Sequence, residues 1–268
     1  MALRLKFPKP AHGWKAFYTE IVIVVLGVLI ALGLGAFAEW ANWQSKVADG
    51  EERLKEEFQR NTNYAIEQVA VSSCVTAQLD ALSERVRKSR SRLDPAPTFT
   101  RARTPDIAIV FVTPRRPSES QIWQSLQQDG TLSHFPADRQ RKLGEAYTAL
   151  DIRSGLVREI RGLQPQLDVL SENIELDPAT TIQLLGLLHQ ARGNISWNRL
   201  VSKQFAIQAV DSGMASINVA ADVLEKAAAG SAVSFCRERG LPLADWRNEI
   251  EAERRNMALG EKVKPEAH

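Results

Sequence analysis

Histidine, cysteine, methionine and tyrosine are all scarce in this 268-residue chain, at four, two, three and three. The four histidines, His12, His134, His189 and His268, are scattered. No His-x-x-x-His, Glu-x-x-His or Cys/His cluster puts two ligands on one helix face, so a metal site has no support. A glycine-rich phosphate loop and a Gly-x-Ser-x-Gly elbow are also lacking. Gly27, Gly33 and Gly35 lie inside an apolar run instead. No cofactor is expected and no catalytic residue stands out. Because catalytic groups can converge from distant positions, a cell-envelope hydrolase or transferase with a site near Trp123 or His134 stays open. Only one hydrophobic run is long, which excludes a polytopic membrane protein.

Excess charge is lacking too. Residues 1–38 carry Arg4, Lys6, Lys9 and Lys15 against Glu20, a net of +3, and residues 39–268 net −1. A nearly neutral body gives a nucleic-acid role no electrostatic footing. With 44% hydrophobic and 25% charged residues, the composition is that of an ordinary folded protein.

Residues 21–38 read IVIVVLGVLIALGLGAFA, without a charge. Together with the residues just before them, they can span a hydrocarbon core ~30 Å thick as a helix, the one local structure that satisfies its own backbone in lipid. Trp14 and Tyr18 flank one end, Trp40 and Trp43 the other, as interfacial aromatics do. Basic residues precede the span, and Lys46 is the only one between Glu39 and Glu52. The positive-inside rule then expects residues 1–15 in the cytoplasm, 16–43 in the membrane and 44–258 in the periplasm of a bacterial inner membrane. A cleaved signal peptide is the rival, since Ala36-Phe37-Ala38 has the small-x-small pattern. Either way the rest of the chain is exported. Gly27, Ala31 and Gly35 recur every four residues, a spacing that lets membrane helices associate, although such residues are common in spans anyway.

The run from Glu20 to Leu32, EIVIVVLGVLIAL, followed by Asn42-Trp43, resembles a bacterial family of uncharacterised single-pass inner-membrane proteins. In that family a Glu-Ile start leads to a Gly-(Ile/Val)-Leu-Ile-Ala-Leu core, an Asn-Trp junction and a helical domain. The resemblance covers about 25 residues. It implies topology and no activity.

Beyond the span the pattern is helical, and the expected fold is all-α, an up-and-down bundle of long helices with one extended loop. Leu54, Phe58, Ala65, Val69, Val75, Leu79, Leu82, Val86 and Leu93 form the seam of a first helix over 44–92, interrupted by Asn61. Residues 94–117, rich in proline and arginine, form the loop, with a lone strand or extended arm expected at 107–112. A short helix over 118–128 is expected to take Ser118 as its cap and Gly130 as its stop. A second long helix covers 137–173 with a kink at Pro165. A short buried helix starts at Asp177-Pro178. A third long helix covers 196–229 and a last one 243–257, before a disordered tail over 259–268.

Cys74 and Cys236 are the only cysteines, and in an oxidising compartment a lone pair is most simply a disulfide. Two buried thiols at unrelated sites are the alternative. Arg85, Arg87, Lys88, Arg90, Arg92, Arg101, Arg103, Arg115 and Arg116 face only Asp94 and Asp106 within 85–116. That basic stretch suits an anionic envelope component or an acidic partner, or is simply a solvated loop. The expected role is a non-catalytic, membrane-anchored scaffold or interaction subunit of a membrane complex, or a homo-oligomer. A ligand-sensing bundle acting through a partner comes second.

Overall fold

The computed structural model describes residues 13–101, 104–114, 116–228 and 230–263. Residues 1–12, Arg103, Arg115 and the tail from 264 lie outside the described residues, as do the side chains of Trp14 and Arg101.

The apolar run expected to cross the membrane and the first long helix are one element. Helix α1, Gly13–Lys88, has 76 residues and is about 114 Å long at 1.5 Å per residue. No proline occurs between its ends. Its apolar window is long enough to cross a membrane, and none of that window is covered by the rest of the chain. From Leu54 onward every expected seam residue is buried. The helix stops at Lys88 rather than Arg92. The Ser89 hydroxyl donates to the Arg85 carbonyl at 2.9 Å, an alternative to helix continuation. Arg92–Leu93 (β1) then pairs antiparallel with Ile174–Glu175 (β4).

The 107–112 run is not a lone strand. Strands β2, Phe99–Arg101, and β3, Thr104–Ile109, form an antiparallel hairpin, because an unpaired strand would leave backbone groups unsatisfied. Val110, Phe111 and Val112 leave the hairpin and are buried.

Past the hairpin the chain turns back along α1 as a strap. Val112 exchanges two backbone hydrogen bonds with the Gln78 side chain, at 2.8 and 3.2 Å. Glu119 does the same with Asn61, at 2.8 and 2.7 Å. Leu126 closes over Gly50, where an added Cβ would lie 2.9 Å from it. The His134 ring stacks on Trp43 at 3.9 Å. Numbers rise along the strap as they fall along α1, so the two run antiparallel for ~50 Å. The strap contains α2, Gln121–Gln128, which starts after Ser120. Ser118, the expected cap, instead accepts from Arg153 at 2.8 Å. The Ile122 amide donates to Glu57 of α1 at 2.8 Å.

The strap returns the chain to the base, where α3, Ala137–Leu167, begins. Pro165 falls in its last turn and precedes a 3₁₀ turn at Asp168–Ser171, so it ends the helix early instead of kinking a longer one. Helix α4, Pro178–Asp211, merges the expected short helix with the start of the third. Asp177 caps it by accepting from the Thr180 amide at 2.6 Å. Its first turns are not fully buried, since Ile182 is 72% exposed. The expected 196–229 helix breaks after Asp211, where Gly213 takes φ 69° and Met214 donates to Ala209 at 3.0 Å, a left-handed helix stop. Three shorter helices follow: α5, Ile217–Glu225; α6, Ala232–Glu238; and α7, Trp246–Val263. Sequence periodicity missed α6, and α7 runs through the first residues of the expected disordered tail.

The class is all-α as expected. Within it α1 and α3 both run from base to tip, and α4 comes back between them. A basal cluster joins Leu54, Phe58, Tyr147, Leu150 and Phe205, and a distal one joins Val75, Leu79, Leu163, Leu188 and Ile195. Between them lies a buried polar layer of Asn61, Gln68, Arg153, Asn198 and Ser202.

Cys74 and Cys236 form a disulfide with Cα atoms 6.1 Å apart, across a sequence separation of 162. Replacing both with serine is expected to lower unfolding free energy by up to ~5 kcal/mol, the chain-entropy limit for so long a loop. Urea melts with and without reductant measure it. A wild type indifferent to reductant would show that the bond contributes nothing. Asn61→Leu strands the Glu119 amide and carbonyl, and an unfolding free energy lower by ~2 kcal/mol is expected in the same melts.

Candidate functional site

Two places concentrate polar or cavity-forming residues. The first is the clasp between the strap and α1. Glu57 is buried, accepts from the Ile122 amide, and receives a short hydrogen bond from the Tyr147 hydroxyl. One helical turn on, Arg60 donates to Glu119 at 2.7 Å, and Tyr64 donates to the same carboxylate at 3.3 Å. Arg116 of the strap lies over the Tyr64 ring, 5.1 Å from its centroid, with Glu67 at 3.8 Å.

Burial, reinforced by the Glu57 carboxylate, raises the Tyr147 phenol well above its ordinary range. Burial also raises Tyr64, with Glu119 adding to it. Desolvation pulls the buried Arg153 guanidinium down to about 10. The Glu119 hydrogen bond raises Arg60. Arg60, Tyr64 and Arg153 bond strap residues, and Tyr147 ties α3 to the Glu57 carboxylate that also accepts from the strap, so these contacts join strap, α1 and α3.

The second is a groove of about 530 Å³ at the distal end, within the ~300–1,000 Å³ range of small-molecule sites. Gln78, Ala81 and Leu82 of α1 form one wall, Phe99 and Val110 of the hairpin region another, and Phe235 and Leu241 around α6 the third. Phe99 meets Phe235 edge to face, with centroids 4.9 Å apart. Two guanidiniums border the groove. Arg239 lies 5.0 Å from the Phe99 centroid. Arg85 uses Nη2 to donate to the Asp94 and Pro95 carbonyls at 3.0 and 2.9 Å. Neither is ion-paired with a carboxylate among the described residues. The disulfide fastens the α6 wall to α1, since Cys236 is flanked by Phe235 and accepts from the Leu241 amide at 2.9 Å.

The basic stretch is divided by the fold. Arg85, Arg87, Lys88, Arg90 and Arg92 cluster where α1 ends, and Lys88 pairs with Glu84 at 3.2 Å. Arg116 sits beside Glu67, 18 residues and about 27 Å back toward the base. Among the aromatics expected at the membrane, Tyr18 and Trp40 are exposed. Trp43 stacks on His134 instead and carries Lys46 over its ring at 4.4 Å, at the junction of span and bundle. Gly27 and Gly35 have nothing within 4 Å of a built Cβ, and Ala31 is exposed. Trp123, suggested near a possible enzymatic site, stacks on Tyr147 at 4.6 Å. It and His134 are packing residues of the strap and do not line the distal groove.

Sequence reasoning missed the groove. Phe99 is far in the chain from Phe235 and Arg239, whose spacing of four is the one local signal that could have been read as a shared helix face.

Span, bundle and groove define a class: an all-α protein with a basic, grooved distal end and one helix long and apolar enough to cross a membrane. No protein-family model, curated protein or solved structure matches the chain.

Tyr147 supplies a pH test. Its folded pKa lies above the unfolded value near 10, so its contribution is complete below pH 10 and is lost as pH rises further. Raising pH from 9 to 11 should destabilise the wild type by about 1.4 kcal/mol more than Tyr147→Phe. Urea titrations at the two pH values measure this, and equal losses would mean that the phenol is not held protonated.

Proposed function

We propose that this chain is a single-pass protein of a bacterial inner membrane, with a cytoplasmic N-terminus and a periplasmic bundle. It acts without catalysis, as a scaffold or interaction subunit of a membrane complex or homo-oligomer. The observation that carries this reading is the exposure of α1: apolar side chains from Ile21 to Phe37 project on all sides with nothing covering them. In water that surface would drive aggregation, whereas lipid satisfies it. The charge asymmetry across the span supports the orientation, and the disulfide suits an oxidising compartment. The uncovered Gly27, Ala31 and Gly35 face suits association of spans. The resemblance of residues 20–43 to the single-pass family agrees with this placement. The exposed cations at the end of α1 suit an acidic partner or an anionic envelope component.

A second reading, a ligand-sensing bundle that signals through a partner, draws on the distal groove.

Alkaline phosphatase fused after His268 is expected to be active, since that enzyme needs an oxidising compartment to form its disulfides. Activity confined to a cytosolic reporter at the same position would reverse the topology. For the scaffold, the native mass in mild detergent is expected to exceed one 29.8 kDa chain by whole copies or by a stoichiometric partner. A lone chain, recovered repeatedly, would argue against it.

A further inference from the structure

We propose that the distal groove binds a small amphiphile, with its tail along the apolar floor and its anionic head, a carboxylate or a phosphate, held between Arg85 and Arg239. The inference stands on the groove alone and does not depend on the orientation of the span.

The floor is apolar on all three walls: Leu82 from α1, Val110 from the hairpin side, and Phe235 and Leu241 from the α6 side. Its one polar side chain, Gln78, is engaged with Val112 on both its oxygen and its nitrogen. The floor therefore offers a ligand no unsatisfied polar group, and an alkyl chain is its natural complement. The rim is the opposite. Arg239 is exposed, lies over the edge-to-face pair Phe99 and Phe235, and has no carboxylate partner among the described residues. Stacking on aromatic rings positions a guanidinium while leaving its N–H groups directed outward, the geometry that receives a carboxylate or phosphate in two parallel hydrogen bonds. Arg85 stands on the α1 wall of the same groove, its Nη2 fixed by two backbone carbonyls. The exposed Arg87, Lys88, Arg90 and Arg92 add positive potential at the same end, which draws anions toward the groove. A neutral apolar ligand would leave both guanidiniums unused. A cationic one would meet like charge.

The test uses the full chain in nanodiscs of zwitterionic lipid, with dansylundecanoate fluorescence as the probe and empty nanodiscs subtracted. Saturable binding is expected. Arg239→Glu, which removes one charge-assisted contact, and Ala81→Trp, which fills an exposed edge of the groove, should each weaken it by about tenfold or more. Arg87→Glu, on the same end but outside the groove, should bind nearly as the wild type does. Retained helical circular dichroism and the absence of any alkylatable thiol without reductant show that each variant is folded with its disulfide formed. Dodecanoate or dodecyl phosphate should displace the probe, and the one effective at lower concentration identifies the head group. Dodecanol should fail. Binding no greater than to empty nanodiscs, folded groove variants that bind like the wild type, or equal displacement by dodecanol would each overturn the proposal.

Discussion

One unbroken helix is the constraint on which everything else in this protein depends. Helix α1 has no proline and continues without a break from the apolar run into the bundle core. Its side chains therefore meet two environments along one rod. The first part has apolar residues all round and no protein neighbour; the second has an apolar stripe on one side only. A single helix serves both because its backbone hydrogen bonds are internal and indifferent to solvent, while its side chains are matched to each surrounding separately.

The strap gives that rod its partner. Two outward-running helices, α1 and α3, require a connection that travels the length of the bundle, and an irregular segment of that length must satisfy its backbone somewhere. Glutamine, asparagine and glutamate on α1 do this at intervals, through Gln78, Asn61 and Glu57. These polar residues lie on a buried face whose neighbours are Leu54, Phe58 and Val75. They exchange some hydrophobic stabilisation for a defined path of the returning chain. The polar layer through Arg153, Asn198 and Ser202 separates two apolar clusters in the same way.

The disulfide acts at the other end of the rod. It draws α6, a helix of only seven residues, against α1. By doing so it makes one wall of the distal groove, so covalent chemistry and cavity are linked at one place.

Much of this was legible in the residues. The span, the seam from Leu54 to Val86, the Asp177 cap and the Cys74–Cys236 pairing could all be read, because each rests on local periodicity, local capping or a count of two. Helix ends and joins were harder. Gly193 did not interrupt α4, whereas Gly213 ended it, and sequence spacing alone does not distinguish a glycine inside a continuing helix from one adopting a left-handed turn. Asn61 read as an interruption in a seam; only its partner, the Glu119 backbone, gives it a purpose. By itself, then, the sequence determined that the chain is mainly helical and which run is long and apolar enough to cross a membrane, since both follow from apolar side chains repeated along a short length of chain. The tertiary structure alone decided that the second long helix runs parallel to the first, that the strap returns along α1, and that Phe99, Phe235 and the two arginines border one groove. Those outcomes depend on hydrogen bonds and contacts between residues tens of positions apart, whose energies no local pattern records.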